Sequence, residues 1–245
     1  MAAFSYENSP YPMRKALVDA QAAVWGRLGK PGTWLDGQQR IAVCHEVRHA
    51  RDCTLCATQK AALSPYMVTG EHDTLDGIPA LWTEVIHRVI ADPGRLTKGW
   101  YDRTIAAGLP ETDYVEIVSL IAHLTAIDTF TRALGLSLHR LPEPEPGETS
   151  GYRPAEARVT DAWVPTIVWT EAGPNESDFF VGPAANIRRA LTLVPDEARS
   201  FFALGGHQYL TPTERRAFDG KHRAISNVQV ELLAARVSAI NQCTY

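Results

Sequence analysis

The sequence predicts an all-α protein, and three observations lead to this expectation. Apolar residues recur at intervals of three and four along several stretches, as on the buried face of a helix. Glycine and proline stand mainly between these stretches, where they end one helix or precede the next. No set of strands with alternating apolar and polar residues is recognisable in the 245 residues.

Six helices are predicted in the first part of the chain. Pro12 stands at the start of the first and Gly29 at its end. Asp52 is the predicted N-cap of the third helix. The sixth is apolar nearly all round, which indicates a buried, central helix. The predicted ranges are 11–28, 36–51, 53–63, 79–91, 95–107 and 111–134.

The second part of the chain is expected to begin with a proline-rich linker at residues 141–147. The region up to residue 183 is rich in proline, glycine and aromatic residues. It is expected to wrap over the helical core, because tryptophans are rarely left fully exposed. Further helices are predicted at 184–193, 195–208, 213–218 and 225–240. We therefore expect an N-terminal helical half (1–140), a linker and wrap (141–183), and a C-terminal helical half (184–245).

The last predicted helix has apolar residues at steps of three, four and three, the pattern of one buried face. Asn241 follows as a helix breaker and as the N-cap of a further helix, which would place Cys243 in its first turn. The apolar residues are Val230, Leu233, Val237 and Ile240.

Composition and charge exclude several classes of function. The net charge of -4 argues against a nucleic-acid-binding surface, which would usually be basic. No apolar run approaches the roughly 18 residues of a membrane span, and the N-terminus lacks the features of a signal peptide. The chain is therefore expected in the cytoplasm, with no nucleic-acid or membrane partner.

The four cysteines are too few for a disulfide scaffold in a chain of this size. The pair Cys53 and Cys56, in a C-x-x-C pattern at a helix start, indicates redox chemistry. The first thiol faces unpaired backbone N–H groups and the positive end of the helix dipole, which lower its pKa. The second lies about one turn away and can resolve a sulfenate into a disulfide. The alternative is two small hydrophobic residues in a helical core.

A metal site is a further alternative, since His45, His49 and Cys53 follow one another at intervals of four. Two histidines at this spacing can share one divalent cation. One helix cannot direct all of these side chains at one ion, however. A solvated helix face, or a histidine that assists the cysteines, is therefore favoured over a metal site. His123, on the long apolar helix, is either a core residue or a neighbour of the thiols.

Several segments resemble alkylhydroperoxidase-related proteins of the carboxymuconolactone decarboxylase and AhpD-like superfamily. The resemblance covers most of the chain, and it implies an AhpD-like helical fold without haem, flavin or bound metal. It also implies a hydroperoxide substrate, a dithiol reductant and assembly as a homo-oligomer. The segments are 32–34 (GTW), 46–56 (EVRHARDCTLC), 60–65 (KAALSP), 92–96 (DPGRL), 126–130 (AIDTF) and 187–191 (IRRAL).

The motif of this superfamily is a glutamate followed, about a dozen residues later, by C-x-x-C-x-x-x-H. Glu231 precedes Cys243 at this spacing, so the resemblance implies that Cys243 is one redox residue and that Glu231 moves protons. The second redox residue would follow Tyr245. Some members are selenoproteins, which suggests truncation at a selenocysteine codon; a UGA codon after Tyr245, followed in frame by the rest of the motif, would support this.

The first copy of the motif departs from the pattern. Lys60 stands where the histidine belongs, and Ile41 stands where the glutamate belongs. Cys53 and Cys56 are therefore either a degenerate copy of the site or a second redox pair.

The predicted function is a thiol- or selenol-dependent, peroxidase-like oxidoreductase that acts on hydroperoxides. The alternatives are a non-catalytic oligomeric helical domain and a carboxymuconolactone decarboxylase-like enzyme on the same fold. The candidate catalytic residues are Cys243, Glu231, Cys53 and Cys56, and the candidate proton-relay residues are His49, Glu46 and His123.

Overall fold

The computed structural model describes residues 4–180, 186–217 and 219–243. Over these residues the chain forms helices and no strand, with one isolated bridge between Arg158 and Thr166. The prediction of an all-α protein is confirmed. The α-helices are α1 (Lys15–Leu28), α2 (Gly37–His49), α3 (Thr54–Ala61), α4 (Ala80–Ala91), α5 (Lys98–Ala106), α6 (Glu111–Ala133), α7 (Asn186–Arg189), α8 (Pro195–Gln208), α9 (Pro212–Arg216) and α10 (Asn227–Ile240).

Helix α6 lies at the centre of the fold and packs against α1, α2, α4 and α8. Its apolar residues Ile117, Leu120, Leu124 and Ile127 are fully buried, as the predicted all-round apolar pattern requires. Helices α2 and α4 pack against α6 and against each other. The cysteine-bearing helix α3 packs against α4 of this three-helix arrangement.

The predicted boundary between the second and third helices is wrong by one residue. A 3₁₀ turn, Ala50–Asp52, separates α2 from α3, so Asp52 belongs to this turn. Cys53 has the extended backbone of an N-cap residue (φ -66°, ψ 124°) and occupies that position of α3. The turn changes the chain direction between the two helices and brings the first thiol to the start of α3.

A buried ionic network joins helices α2, α6 and α8. Arg40 Nη1 donates to Glu116 Oε1 at 2.5 Å and to Glu197 Oε1 at 3.0 Å. Burial raises the pKa of Glu197, but the attraction of Arg40, His123 and Arg27 outweighs it and lowers this pKa to about 2. The network ties α8, from the C-terminal part of the chain, to the two central helices.

The aromatic-rich region before α7 contributes to the same core. Ala157, Ile167 and Phe179 are buried in it, whereas Trp163 and Trp169 stay more than a third exposed. The predicted helix at 184–193 is only Asn186–Arg189 among the described residues. Its first two predicted positions, and residues 181–183 before them, lie outside the described residues.

The expectation of a buried face on α10 is wrong within the single chain. Leu233, Val237 and Ile240 are 56–63% exposed, and Val228 and Leu232 are 60% and 69% exposed. Periodicity alone indicates which residues share a helix face, and no neighbouring element among the described residues covers this one. Within the described residues, no helix is both long and apolar enough to cross a membrane.

Candidate functional site

Helix α3 brings two free thiols together at its N-terminus. Cys53 is the N-cap residue and Cys56 lies in the first turn, so their side chains point to the same end of the helix. Their sulfur atoms lie within 4.8 Å of each other. The residues are only 2% and 3% exposed. The predicted redox pair is therefore a buried dithiol at a helix start.

Two histidines that the sequence analysis did not select contact these thiols. His72 comes from the segment between Met67 and α4, and its Nδ1 lies 3.6 Å from Cys53 Sγ and 3.5 Å from Cys56 Sγ. His87 comes from α4, and its Nδ1 lies 3.3 Å from Cys56 Sγ. Both imidazoles thus turn the same ring nitrogen toward the sulfur atoms.

A carboxylate lies behind each histidine. Glu46 on α2 is fully buried, and its Oε1 lies 2.7 Å from His87 Nε2. Glu84 on α4 lies 3.1 Å from His72 Nε2, and it accepts a hydrogen bond from Trp100 Nε1 at 2.7 Å. Each thiol is therefore connected through an imidazole to a carboxylate.

These contacts favour the ionised form of the thiols. Burial raises the pKa of Cys53, but the backbone N–H of Cys56, the His72 ring and the backbone of Asp73 outweigh it and lower the pKa to about 6. Burial also opposes ionisation of Cys56, whose pKa is nevertheless lowered by His72 and His87. Cys44, which is buried in the core, has a pKa raised to about 12 because burial dominates there.

The histidines shift in the opposite direction. Burial lowers the pKa of His72, but contacts with Cys56, Glu84 and Cys53 raise it to about 10. The pKa of His87 is also raised, since Cys56 and Glu46 outweigh the effect of burial. The arrangement is therefore suited to thiolate–imidazolium pairs, a state in which sulfur is nucleophilic.

Residues 68–79, called the cover from here on, lie against the thiols through His72. The Leu75 N–H donates to Glu46 Oε2 at 3.0 Å, and the hydroxyls of Thr74 and Thr83 are hydrogen-bonded at 3.1 Å. His72 itself belongs to this segment. The cover and the site are thus held by the same contacts.

The predicted relay residues are placed differently from one another. Glu46 belongs to the site through His87. His49 lies at its edge, with Nε2 3.4 Å from Asp73 Oδ1. His123 belongs to the ionic network of the core, where its Nδ1 lies 2.8 Å from the Ser119 carbonyl oxygen and 3.7 Å from Glu197.

Cys243 and Glu231 lie on a different part of the molecule. Burial and the neighbouring Glu231 raise the pKa of Tyr209 to about 12. Cys243 is exposed beyond the end of α10, and its N–H donates to the Ser238 carbonyl at 2.9 Å. Asn241 is the C-cap of α10, and the further helix expected after it would extend past residue 243, outside the described residues. Nearby lies a cavity of about 360 Å³, lined by residues 60–63, 91–95 and 240–242.

One of the missed histidines leaves a signal in the sequence. His87 is a polar residue on the apolar face of α4, between the buried residues Val85 and Ile86 and the buried Arg88. A histidine at such a position needs a buried partner. His72 leaves no such signal, because its position depends on the path of an irregular segment.

Comparisons with known protein families, with curated proteins and with solved structures find no match. The all-α fold is of the kind that the resemblance implies.

Proposed function

We propose that Cys53 and Cys56 form a redox dithiol that reduces hydroperoxides. The observation that carries the proposal is the contact of both thiols with two histidines. Each histidine is in turn hydrogen-bonded to a carboxylate. This constellation supplies a nucleophile, a resolving thiol and two groups able to hold or move protons. The accompanying family assignment, to the AhpD-like superfamily, rests on the resemblance of the sequence.

In the first step, the Cys53 thiolate attacks one oxygen of the hydroperoxide. A sulfur–oxygen bond forms and the oxygen–oxygen bond breaks, so the sulfur is oxidised and the peroxide reduced. The leaving alkoxide takes a proton from the His72 imidazolium and departs as an alcohol. Cys53 is left as a sulfenic acid.

In the second step, the Cys56 sulfur attacks the Cys53 sulfenic acid. The disulfide forms, the sulfur–oxygen bond breaks, and the hydroxyl group leaves as water with the proton that the Cys56 thiol gave up and His87 carried. His87, oriented by Glu46, accepts the proton of the Cys56 thiol. An external dithiol then returns the pair to its reduced state by thiol–disulfide exchange, which fits a reducing compartment such as the cytoplasm.

The cover over the thiols makes access a part of this proposal. Because both cysteines are almost fully buried, the hydroperoxide and the reductant react only after residues 68–79 move outward. Movement of His72 with this segment would expose Cys53 and Cys56 together. Closure excludes water and restores the imidazole contacts.

Peroxide-dependent oxidation of a dithiol reductant tests the proposal. We expect turnover by the wild-type chain, loss of turnover in Cys53→Ser and in Cys56→Ser, and retention in Cys44→Ala, whose thiol is buried in the core. A Cys243→Ser variant shows whether turnover depends on the C-terminal part of the motif, Glu231 and Cys243, instead of on Cys53 and Cys56. Turnover that is lost in Cys243→Ser and kept in Cys53→Ser would refute the assignment.

A non-catalytic oligomeric helical domain is the second candidate, and the exposed apolar residues of α10 favour it. Residues such as Leu232 and Val237 are more than half exposed on a well-formed helix, an arrangement suited to burial against another copy of the chain. A homo-oligomer without any peroxide-dependent thiol oxidation would support this alternative.

A further inference from the structure

We propose that Cys53, Cys56, His72 and His87 together bind one zinc ion in the reduced protein. Their ligand atoms, two sulfurs and two ring nitrogens, all lie within 4.8 Å of one another. The resemblance implied no bound metal, and the spacing of His45 and His49 on one helix did not supply a complete ligand set. The fold supplies the missing pair of ligands from the covering segment and from α4.

The separations between the ligand atoms match a tetrahedral zinc site. With Zn–S near 2.3 Å and Zn–N near 2.05 Å, a tetrahedral angle places a sulfur and a nitrogen about 3.6 Å apart. The three measured S–N separations are 3.6, 3.5 and 3.3 Å, from Cys53 to His72, from Cys56 to His72 and from Cys56 to His87. The remaining three separations lie within 4.8 Å, so the four ligand atoms can close on one ion with shifts of up to about an ångström.

The two carboxylates orient the histidines as metal ligands. Glu84 and Glu46 lie 3.1 and 2.7 Å from the Nε2 atoms of His72 and His87. A ring that donates its Nε2–H to a carboxylate leaves Nδ1 unprotonated and directed at the metal, which is the usual arrangement around zinc-bound histidine. Trp100 and the Leu75 N–H hold the two carboxylates in turn.

The ligand chemistry selects zinc among the divalent metals. Two thiolates and two imidazoles in a tetrahedral arrangement suit zinc, whereas magnesium and calcium require oxygen ligands. All four positions of the tetrahedron would come from the protein, and the cysteines and His87 are buried. Such a closed site is typical of zinc that stabilises a fold, and here it would fasten the segment 68–79 to α3 and α4.

Zinc binding does not depend on the proposed peroxidase function. Binding is measured without peroxide, and peroxide reduction is measured on the metal-free protein, so either proposal can fail alone. If both hold, zinc keeps the thiols in the reduced form, because a sulfur bound to the ion has to leave it before the disulfide can form.

The test is a titration of the reduced, metal-free full chain with Zn²⁺ in competition with a chromophoric chelator. We expect one ion per chain, with a dissociation constant of nanomolar order or below. Co²⁺ in place of Zn²⁺ should give the absorption bands of a tetrahedral ion with thiolate ligands.

Three variants and two matched controls distinguish zinc ligands from residues that do not bind the ion. Cys53→Ser and His72→Asn should weaken zinc binding by more than about 100-fold. This exceeds the 10–100-fold expected for Glu84→Gln, in which only a positioning residue changes. Glu84→Gln should leave the circular dichroism of the metal-free protein unchanged, so that its weaker zinc binding reports on the orientation of His72. Cys44→Ala and His222→Asn should bind zinc as the wild type does.

His45→Asn tests whether the pair of histidines on α2, His45 and His49, binds the ion instead. This variant should bind zinc as the wild type does. His72→Asn changes an irregular segment and leaves the helices intact, so it remains informative if a cysteine variant fails to fold. Weak zinc binding by the wild type would overturn the proposal. Zinc binding by Cys53→Ser and His72→Asn that is as tight as that of the wild type would also overturn it. So would a cobalt complex without thiolate-to-metal bands.

Discussion

Replacing Glu46 with glutamine tests the connection between the Cys56 thiol and a carboxylate. Glu46 Oε1 lies 2.7 Å from His87 Nε2, and Oε2 accepts the Leu75 N–H at 3.0 Å. Glutamine has nearly the same shape, but it removes the negative charge beside the imidazole and offers one acceptor oxygen, which stays toward His87 while the Leu75 N–H loses its acceptor. The substitution therefore changes the electrostatics of His87 with little change in packing.

The expected magnitude follows from the loss of a charged hydrogen bond. A hydrogen bond to a charged group contributes about 1.5–3 kcal/mol and a neutral one about 0.5–1.5 kcal/mol. The difference of about 1–1.5 kcal/mol corresponds to roughly a tenfold change in rate. Because His87 contacts the Cys56 sulfur, we expect disulfide formation in Glu46→Gln to be about tenfold slower, while the first oxidation of Cys53 changes less.

The assay is a single turnover of metal-free protein with hydrogen peroxide in a rapid-quench instrument. Sulfenic acid is trapped with a 1,3-dione, and the remaining thiols are counted by maleimide labelling. Glu84→Gln is the matched control, since its carboxylate contacts His72 and not His87; it should slow peroxide consumption more than disulfide formation. Equal rates of disulfide formation in Glu46→Gln and the wild type would refute the role assigned to this pair.

Three further predictions concern stability and assembly. Arg40→Met leaves buried carboxylates without their partner. This should lower the free energy of unfolding by about 3–5 kcal/mol and the melting temperature by roughly 10 °C. Arg27→Met is the control: Arg27 makes a half-exposed contact with Glu197, and its loss should change the melting temperature little. Since the pKa of Glu197 is about 2, below its ordinary 4.5, its stabilisation is present above about pH 4.5 and is lost as the pH falls toward 2. The free energy of unfolding, measured with denaturant, should therefore fall less steeply with decreasing pH in Glu197→Gln than in the wild type. Equal slopes in the two proteins would contradict this. Finally, the wild type should sediment as an oligomer and a Leu232→Glu/Val237→Glu variant as a monomer with unchanged circular dichroism; a monomeric wild type would rule out this use of α10.

The parts of the fold that depend on local spacing could be predicted. Helix α6 is long, apolar nearly all round and bounded by Gly135, so its central position followed from its own residues. The start of α3 at the C-x-x-C pair was predicted within one residue, because helix starts have local signals. The exposure of the apolar face of α10 could not be predicted in the same way, since a periodic pattern does not specify whether another element covers the face.

The candidate site was predictable only in part. Cys53, Cys56 and Glu46 were selected from their spacing and from the resemblance, and they meet in the structure. His87 could have been noticed as a polar residue on an apolar helix face, but its partner Glu46 is separated from it by 41 positions. His72 could not be found, because nothing in an irregular segment indicates which side chain it turns inward.

The sequence by itself determined the all-α class, the order of most helices and the placement of two thiols at a helix start, because these follow from residues a few positions apart. The tertiary structure decided which groups surround the thiols. It brings together side chains from α2, α3, α4 and the segment before α4, so that both thiols meet histidines backed by carboxylates. Such a site depends on packing between distant segments, and the same packing leaves Cys243 and the apolar face of α10 at the surface.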